Sequence, residues 1–236
     1  MVFGSEKDTD VLPLALGNLL LDGICIKRAY YTKFLRVTLD ENLTWTKHIS
    51  KVTTKVSKNI GVISKARKYL DSDALRSLYF AFIYPYISYG NIAWGSTYKS
   101  RLTKIRRLQK RIVRIMSHAE RTSNSRPLMV HHGVLNVYEI NVLQTMVFLY
   151  KHQHHLLPEV FTAYFQRVLH RYNSRLMKYG YREKLFFGKR KHSIVGRGPY
   201  IWNRLNCAIA KVSPTLLNFK HEMITFLRHL PPNEFV

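Results

Sequence analysis

Phosphoryl transfer through metal ions needs carboxylates held close together. The chain offers three tight acidic clusters: Asp8 with Asp10, Asp40-Glu41, and Asp71 with Asp73. The first stands near the start of the chain, the second in a turn-like stretch, and the third where a helix needs an N-cap. His152, His154 and His155 invite a metal reading, but spacings of two and three do not bring all three to one helix face, and no Cys or acid stands close in sequence. "HEMIT" begins like a zinc-protease helix, yet Thr225 stands where a second His is required. "GRGPY" lacks the third glycine of a dinucleotide loop, and Ser193 beside His192 is an adjacency in sequence, not a triad. The expectation is no catalytic residue, no metal, no cofactor and no small-molecule substrate.

Cationic residues are the stronger signal. "KSRLTKIRRLQKRIVRIM", Lys99 to Met116, carries eight Lys or Arg in eighteen residues and no acid. Leu102, Ile105, Leu108, Ile112, Ile115 and Met116 form an apolar stripe that spans roughly 160° of a helix. Lys104, Arg106, Arg107, Lys110, Arg111 and Arg114 fill the opposite arc. Like charges at i, i+4 repel by a few tenths of a kcal/mol per pair. A phosphate backbone running past reverses that cost and releases counterions. These six are the first candidates for phosphate contact. Lys47, Lys51 and Lys55 come second, and Arg197 and Arg204 are weaker choices. Trp45, Trp94 and Trp202 could stack on bases, with core packing the stronger alternative.

The whole chain points the same way. Its 236 residues hold 38 Lys and Arg against 14 Asp and Glu, for a net charge of +24. A balance of that size implies a polyanionic partner, nucleic acid or an anionic membrane. At 46% hydrophobic residues the chain is not mostly disordered. Two cysteines, Cys25 and Cys207, make neither a disulfide framework nor a zinc quartet, so a reducing interior is expected. Glu6, Asp8 and Asp10 argue against a signal peptide. The uncharged run Ser77 to Tyr98 contains Pro85, Gly90 and five tyrosines, and reads as buried helix and turn rather than a membrane span.

The elements that would carry these residues follow from periodicity. "GICIKR" and "YYTKFLRVTLD" alternate like short strands. Trp45, Ile49, Val52, Val56, Ile60, Ile63 and Leu70 repeat at three and four, with Thr44 as N-cap. Lys47, Lys51, Lys55 and Lys58 line another face. Asp71 or Asp73 caps a following helix that Pro85 kinks or ends. Residues 120–135 read as a loop with Pro127 and Gly133, and 173–200 as basic loop with strand at "EKLFFG" and "HSIVG". "NVYEINVLQTMVFLYKHQHHLLP" reads as an apolar helix, and "GPYIWNRLNCAIAKV" and "SPTLLNFKHEMITFLRHL" as two final helices. The fold class expected is mainly α with a small N-terminal β element (α+β).

Two longer stretches, "KFLRVTLDENLTWTKHI" and "YPYISYGNIAWGSTYKSRLTKIRRLQKRIVRI", are followed in order by "LPEVF", "HRYNSR", "GPYIWNRL" and "FK". Together they resemble the tail of a non-LTR retrotransposon reverse transcriptase of the jockey-like LINE type. The resemblance implies three parts. Residues 1–43 would be the end of the palm, with Phe34, Leu35, Arg36 and Val37 similar to the primer grip. Residues 44–118 would be a thumb-like helical bundle that clamps a template–primer duplex, and 119–236 a mostly helical C-terminal region. Arg36 stands where the family has Gly, and Ser174 where "HRYNSR" usually has Thr.

The family's Tyr/Phe-x-Asp-Asp box is absent, and no Asp-Asp pair occurs anywhere in the chain. The expectation is therefore a non-catalytic fragment that binds RNA and DNA by backbone contacts inside the cell, in the nucleus or cytoplasm. The alternatives are a polymerase subunit whose palm comes from another chain, and a basic membrane-associated protein.

Overall fold

The computed structural model describes residues 20–25, 29–166, 180–183, 192–204 and 214–230. The chain divides into two compact units, Met1–Lys55 and Val56–Val236. "MVFGS", Asp8, Asp10, "HRYNSR", most of "EKLFFG", Ser213 and Cys207 lie outside the described residues.

The described part of the first unit holds two hairpins and the start of a helix. Strands β1 (Leu20–Leu21) and β2 (Ile24–Cys25) pair antiparallel, as do β3 (Tyr31–Phe34) and β4 (Val37–Asp40). Both have two-residue loops with positive φ at both central positions: Asp22 and Gly23 in one, Leu35 and Arg36 in the other. Asp-Gly is a favoured choice for that geometry; Leu-Arg is not. Helix α1 (Thr46–Ala66) starts behind the second hairpin. The Asp40 carboxylate accepts from the Thr44 and Trp45 backbone N–H groups at 2.7 and 2.8 Å, so this acid shapes the helix entry. Thr44 Oγ1 sits at a long 3.5 Å from Thr46 N. Buried His48 turns its Nδ1 to the Thr38 N–H at 3.3 Å.

Ile49, Val52, Val56, Ile60 and Ile63 form the buried stripe of α1. Trp45 and Leu70 do not join it. Trp45 precedes the helix with φ +64, and Leu70 follows it on the exposed side of a turn.

The described part of the second unit is mostly helical. Asp71 caps α2 (Ser72–Phe82) by accepting from Ala74 N at 2.8 Å. Pro85 ends that run and opens α3 (Tyr84–Ser88), as a residue without an N–H does best in a first turn. After α4 (Asn91–Trp94) come α5 (Lys99–Met116), α6 (Ser125–His131) and α7 (Val137–Gln153). A 3-10 turn (Glu159–Tyr164), α8 (Ile194–Arg204) and α9 (Leu216–His229) complete it.

The centre is α7, which is apolar almost all round and packs against α3, α4, α5, α8 and α9. Its polar residues hold the short helices in place. Gln144 accepts from Ile92 N and donates to Ser88 O, and Asn141 donates to Asn91 O. The core is therefore continuous across residue 118.

Two stretches differ from expectation. Residues 125–131 are helical because Asn124 caps Arg126 N and Pro127 falls in the first turn, where a missing N–H costs nothing. "HSIVG" enters α8 rather than a strand. Ser193 Oγ accepts from Gly196 N at 3.2 Å, and Gly198, Pro199, Ile201 and Trp202 bury one face. Packing on α7 overrides the β-branched composition. The described chain is thus mainly α with a small β element near its start, as composition and periodicity foretell.

Candidate nucleic-acid interface

Helix α5 has one buried side, made by Leu102, Ile105, Ile112, Val113, Ile115 and Met116 together with Gln109. Leu108 is only half-buried. Gln109 replaces it in the core because it has three partners there. Its Oε1 accepts from Val137 N at 2.8 Å, and its Nε2 lies 3.1 Å from Leu135 O and 3.4 Å from the Tyr79 hydroxyl. One side chain thus fixes α5 to the first turn of α7.

The opposite side is basic, but its six cations are not equivalent. Lys104, Arg107 and Arg111 are exposed. At i, i+3 and i+7 they share one face, spread over roughly 60° of arc and about 10 Å of axis. Among the described residues no carboxylate lies within salt-bridge distance of any of the three. Arg106, Lys110 and Arg114 flank them half-buried. The Arg106 guanidinium lies over the Tyr138 ring, 5.7 Å from its centroid, and Arg114 Nε donates to Ser123 O at 2.8 Å. Burial, and then the charges of Arg106 and Arg114, push the Lys110 ammonium below its ordinary value. That self-repulsion would be relieved by an anion.

Two residues that the sequence reading did not pick out extend this surface at the far end of the helix. Arg67 Nε stands 3.5 Å from His118 Nδ1, and Ser72 Oγ donates to Met116 O. The exposed turn after α1 therefore lies beside the end of α5. No periodic pattern links residues 67 and 118, so only the fold brings them together.

The second-choice lysines sit in the other unit. Lys51 Nζ donates to Thr38 Oγ1 at 3.0 Å, and Lys47 Nζ lies 5.0 Å from the centre of the Tyr31 ring. Lys47 and Lys51 thus brace the β3–β4 hairpin, and Lys55 is exposed. Phe34, Leu35 and Arg36 are exposed at the hairpin tip, and Val37 is half-buried.

Several weaker candidates are taken up by the structure. Arg204 lies 3.6 Å from Glu183 and stacks on the Tyr200 ring at 3.5 Å. Arg197 is half-buried, and burial pushes its guanidinium below its ordinary value. Trp94 and Trp202 are core residues, and Trp45 is half-buried. His152 is buried with Nδ1 3.1 Å from the Tyr181 hydroxyl, whereas His154 and His155 are exposed. His192 Nδ1 lies 2.8 Å from Ser96 O, and Ser193 Oγ accepts from Gly196 N. Gly198 of "GRGPY" is a packing glycine, since a Cβ there would meet Leu149 Cδ1 at 3.3 Å. Among the described residues no three of His, Cys, Asp or Glu are grouped to hold a metal ion. None of the described helices is long and apolar enough to cross a membrane.

The chain is similar to the RNA-directed DNA polymerase from mobile element jockey of Drosophila melanogaster, 33% identical over 103 residues. That similarity covers 42% of this chain and 11% of the length of the polymerase. No family model and no solved structure matches. The relationship is thus a partial one, to a retrotransposon RNA-directed DNA polymerase.

Proposed function

We propose that this chain is a nucleic-acid-binding, non-catalytic part of a jockey-like reverse transcriptase, which grips the sugar–phosphate backbone of an RNA–DNA template–primer duplex. In this reading residues 1–43 are the end of a palm carrying the primer-grip hairpin. Residues 44–118 are a thumb, and 119–236 a mostly helical C-terminal region. Its partners are intracellular RNA and DNA.

One observation carries the reading. Lys104, Arg107 and Arg111 stand exposed on one face of a helix whose other face is buried, with no carboxylate beside them among the described residues. An ordered, unneutralised cationic ridge gains most from a polyanion. Partial similarity to a polymerase supports nucleic acid as that polyanion. The chain holds no adjacent Asp-Asp pair, and that sequence feature supports the non-catalytic part of the reading.

The test uses fluorescence anisotropy with two RNA–DNA hybrid duplexes of unrelated sequence, followed by primer extension on the same substrates. The reading expects both duplexes to bind within a few-fold of each other and no nucleotide to be added. Failure to bind either duplex overturns the binding; extension by the chain alone overturns its non-catalytic nature.

A further inference from the structure

A separate feature of the helical unit is an apolar cleft of about 430 Å³ between α3, α7 and α9. Its lining includes Leu143, Val147, Phe148 and Ile224, together with Tyr84 and Leu157. The volume falls in the ~300–1,000 Å³ range of small-molecule sites. Two cations, Lys151 and Lys220, also line it, one from each long helix. Neither has an acidic partner among the described residues.

The lining decides what fits. The only amide side chain in the wall, Gln144, is committed at both ends, to Ile92 N and to Ser88 O. A nucleobase or sugar would therefore find no free amide to read its polar edge. An apolar body satisfies the walls, and one anionic end satisfies the lysines. We infer that this cleft binds a free long-chain carboxylate, its alkyl chain against Val147, Phe148 and Ile224 and its carboxylate between Lys151 and Lys220.

The probes are octanoate, decanoate and dodecanoate below their micellar range, with dodecanol as the uncharged control, titrated into the full chain by calorimetry. The inference expects a single site and roughly tenfold tighter binding for each two methylenes added. Lys151→Gln with Lys220→Gln weakens dodecanoate about tenfold and leaves dodecanol unchanged. Val147→Trp fills the cleft and abolishes both. Lys220 is exposed and Lys151 half-buried, so the lysine variants remain informative if the tryptophan variant fails to fold. Binding at many sites, indifference to chain length, or dodecanoate affinity unmoved by the double lysine change each overturns the inference.

Discussion

Arg126 Nη1 meets Glu139 Oε1 at 2.5 Å, and the same guanidinium donates through Nη2 to the carbonyls of Leu227, Arg228 and Leu230. Glu139 in turn accepts from Asn136 N at 2.9 Å in a capping box. One arginine therefore links the N-terminus of α7 to the C-terminus of α9, where unsatisfied carbonyls collect. Burial pushes the Glu139 carboxyl up, against the pull of the Asn136 N–H and of Arg126.

Removing Arg126 leaves a mostly buried carboxylate and three carbonyls short of a donor. Arg126→Met is expected to cost about 3 kcal/mol, at the low end for breaking a buried pair. Glu139→Gln, which keeps an acceptor for Asn136 N, costs about 1 kcal/mol. Urea denaturation of the three proteins measures both; equal and small losses would show that the linkage does not hold the fold.

The hairpin tip makes an independent prediction. Leu35 and Arg36 both have positive φ, a region that costs L-residues roughly 1–2 kcal/mol each. Leu35→Asn with Arg36→Gly supplies the residues this loop favours, and should stabilise the hairpin by about 1 kcal/mol net of the extra freedom of glycine in the unfolded chain. Amide exchange of β3 and β4 reads it. Unchanged or faster exchange in the variant would rule out strain at this turn.

Acid sensitivity follows from His132. Burial first, then the charges of His131 and Arg76, lower its ring below the ordinary value against a small opposing effect of Asp73, and Nε2 sits 2.7 Å from Ser117 Oγ. The unfolded chain takes up the proton near pH 6.5 and the folded chain only lower. The stability this group contributes is full above about pH 6.5 and is lost as the pH falls toward the folded value. His48 is lowered in the same direction, by burial and then by Lys51. Melting temperatures from pH 8 to pH 5 should fall across this window, with a shallower fall for His132→Asn. An equal fall in both would remove His132 from the account.

How far the fold could be read in advance depended on whether neighbours in space were neighbours in sequence. The middle of the α1 stripe, most of the α5 stripe, the Asp71 cap and the break at Pro85 rest on local periodicity and turn chemistry and stand where local rules place them, whereas Trp45, Leu70 and Leu108 fall off their stripes. Gln109 shows the opposite. It occupies a stripe position, four residues after Ile105 and three before Ile112, but only the distant Val137 N–H and Leu135 carbonyl explain a polar group there. The candidate surface divides in the same way. All six cations were visible on one arc of α5. The covering of Arg106 by Tyr138 and of Arg114 by Ser123 depends on segments brought in by the fold. The Leu35-Arg36 loop carried no Asn or Gly to announce its conformation.

The exposed ridge is tested most directly by the salt dependence of duplex binding. Each phosphate contact contributes about 0.9 to the slope of log affinity against log salt concentration. The affinity of the chain for an RNA–DNA hybrid should fall steeply between low and physiological salt. Lys104→Gln, Arg107→Gln and Arg111→Gln together should reduce that slope by roughly two to three, while Arg204→Gln, whose charge is already held by Glu183, leaves it unchanged. A slope that stays the same in the triple variant would contradict the assignment of α5 as the phosphate-binding face.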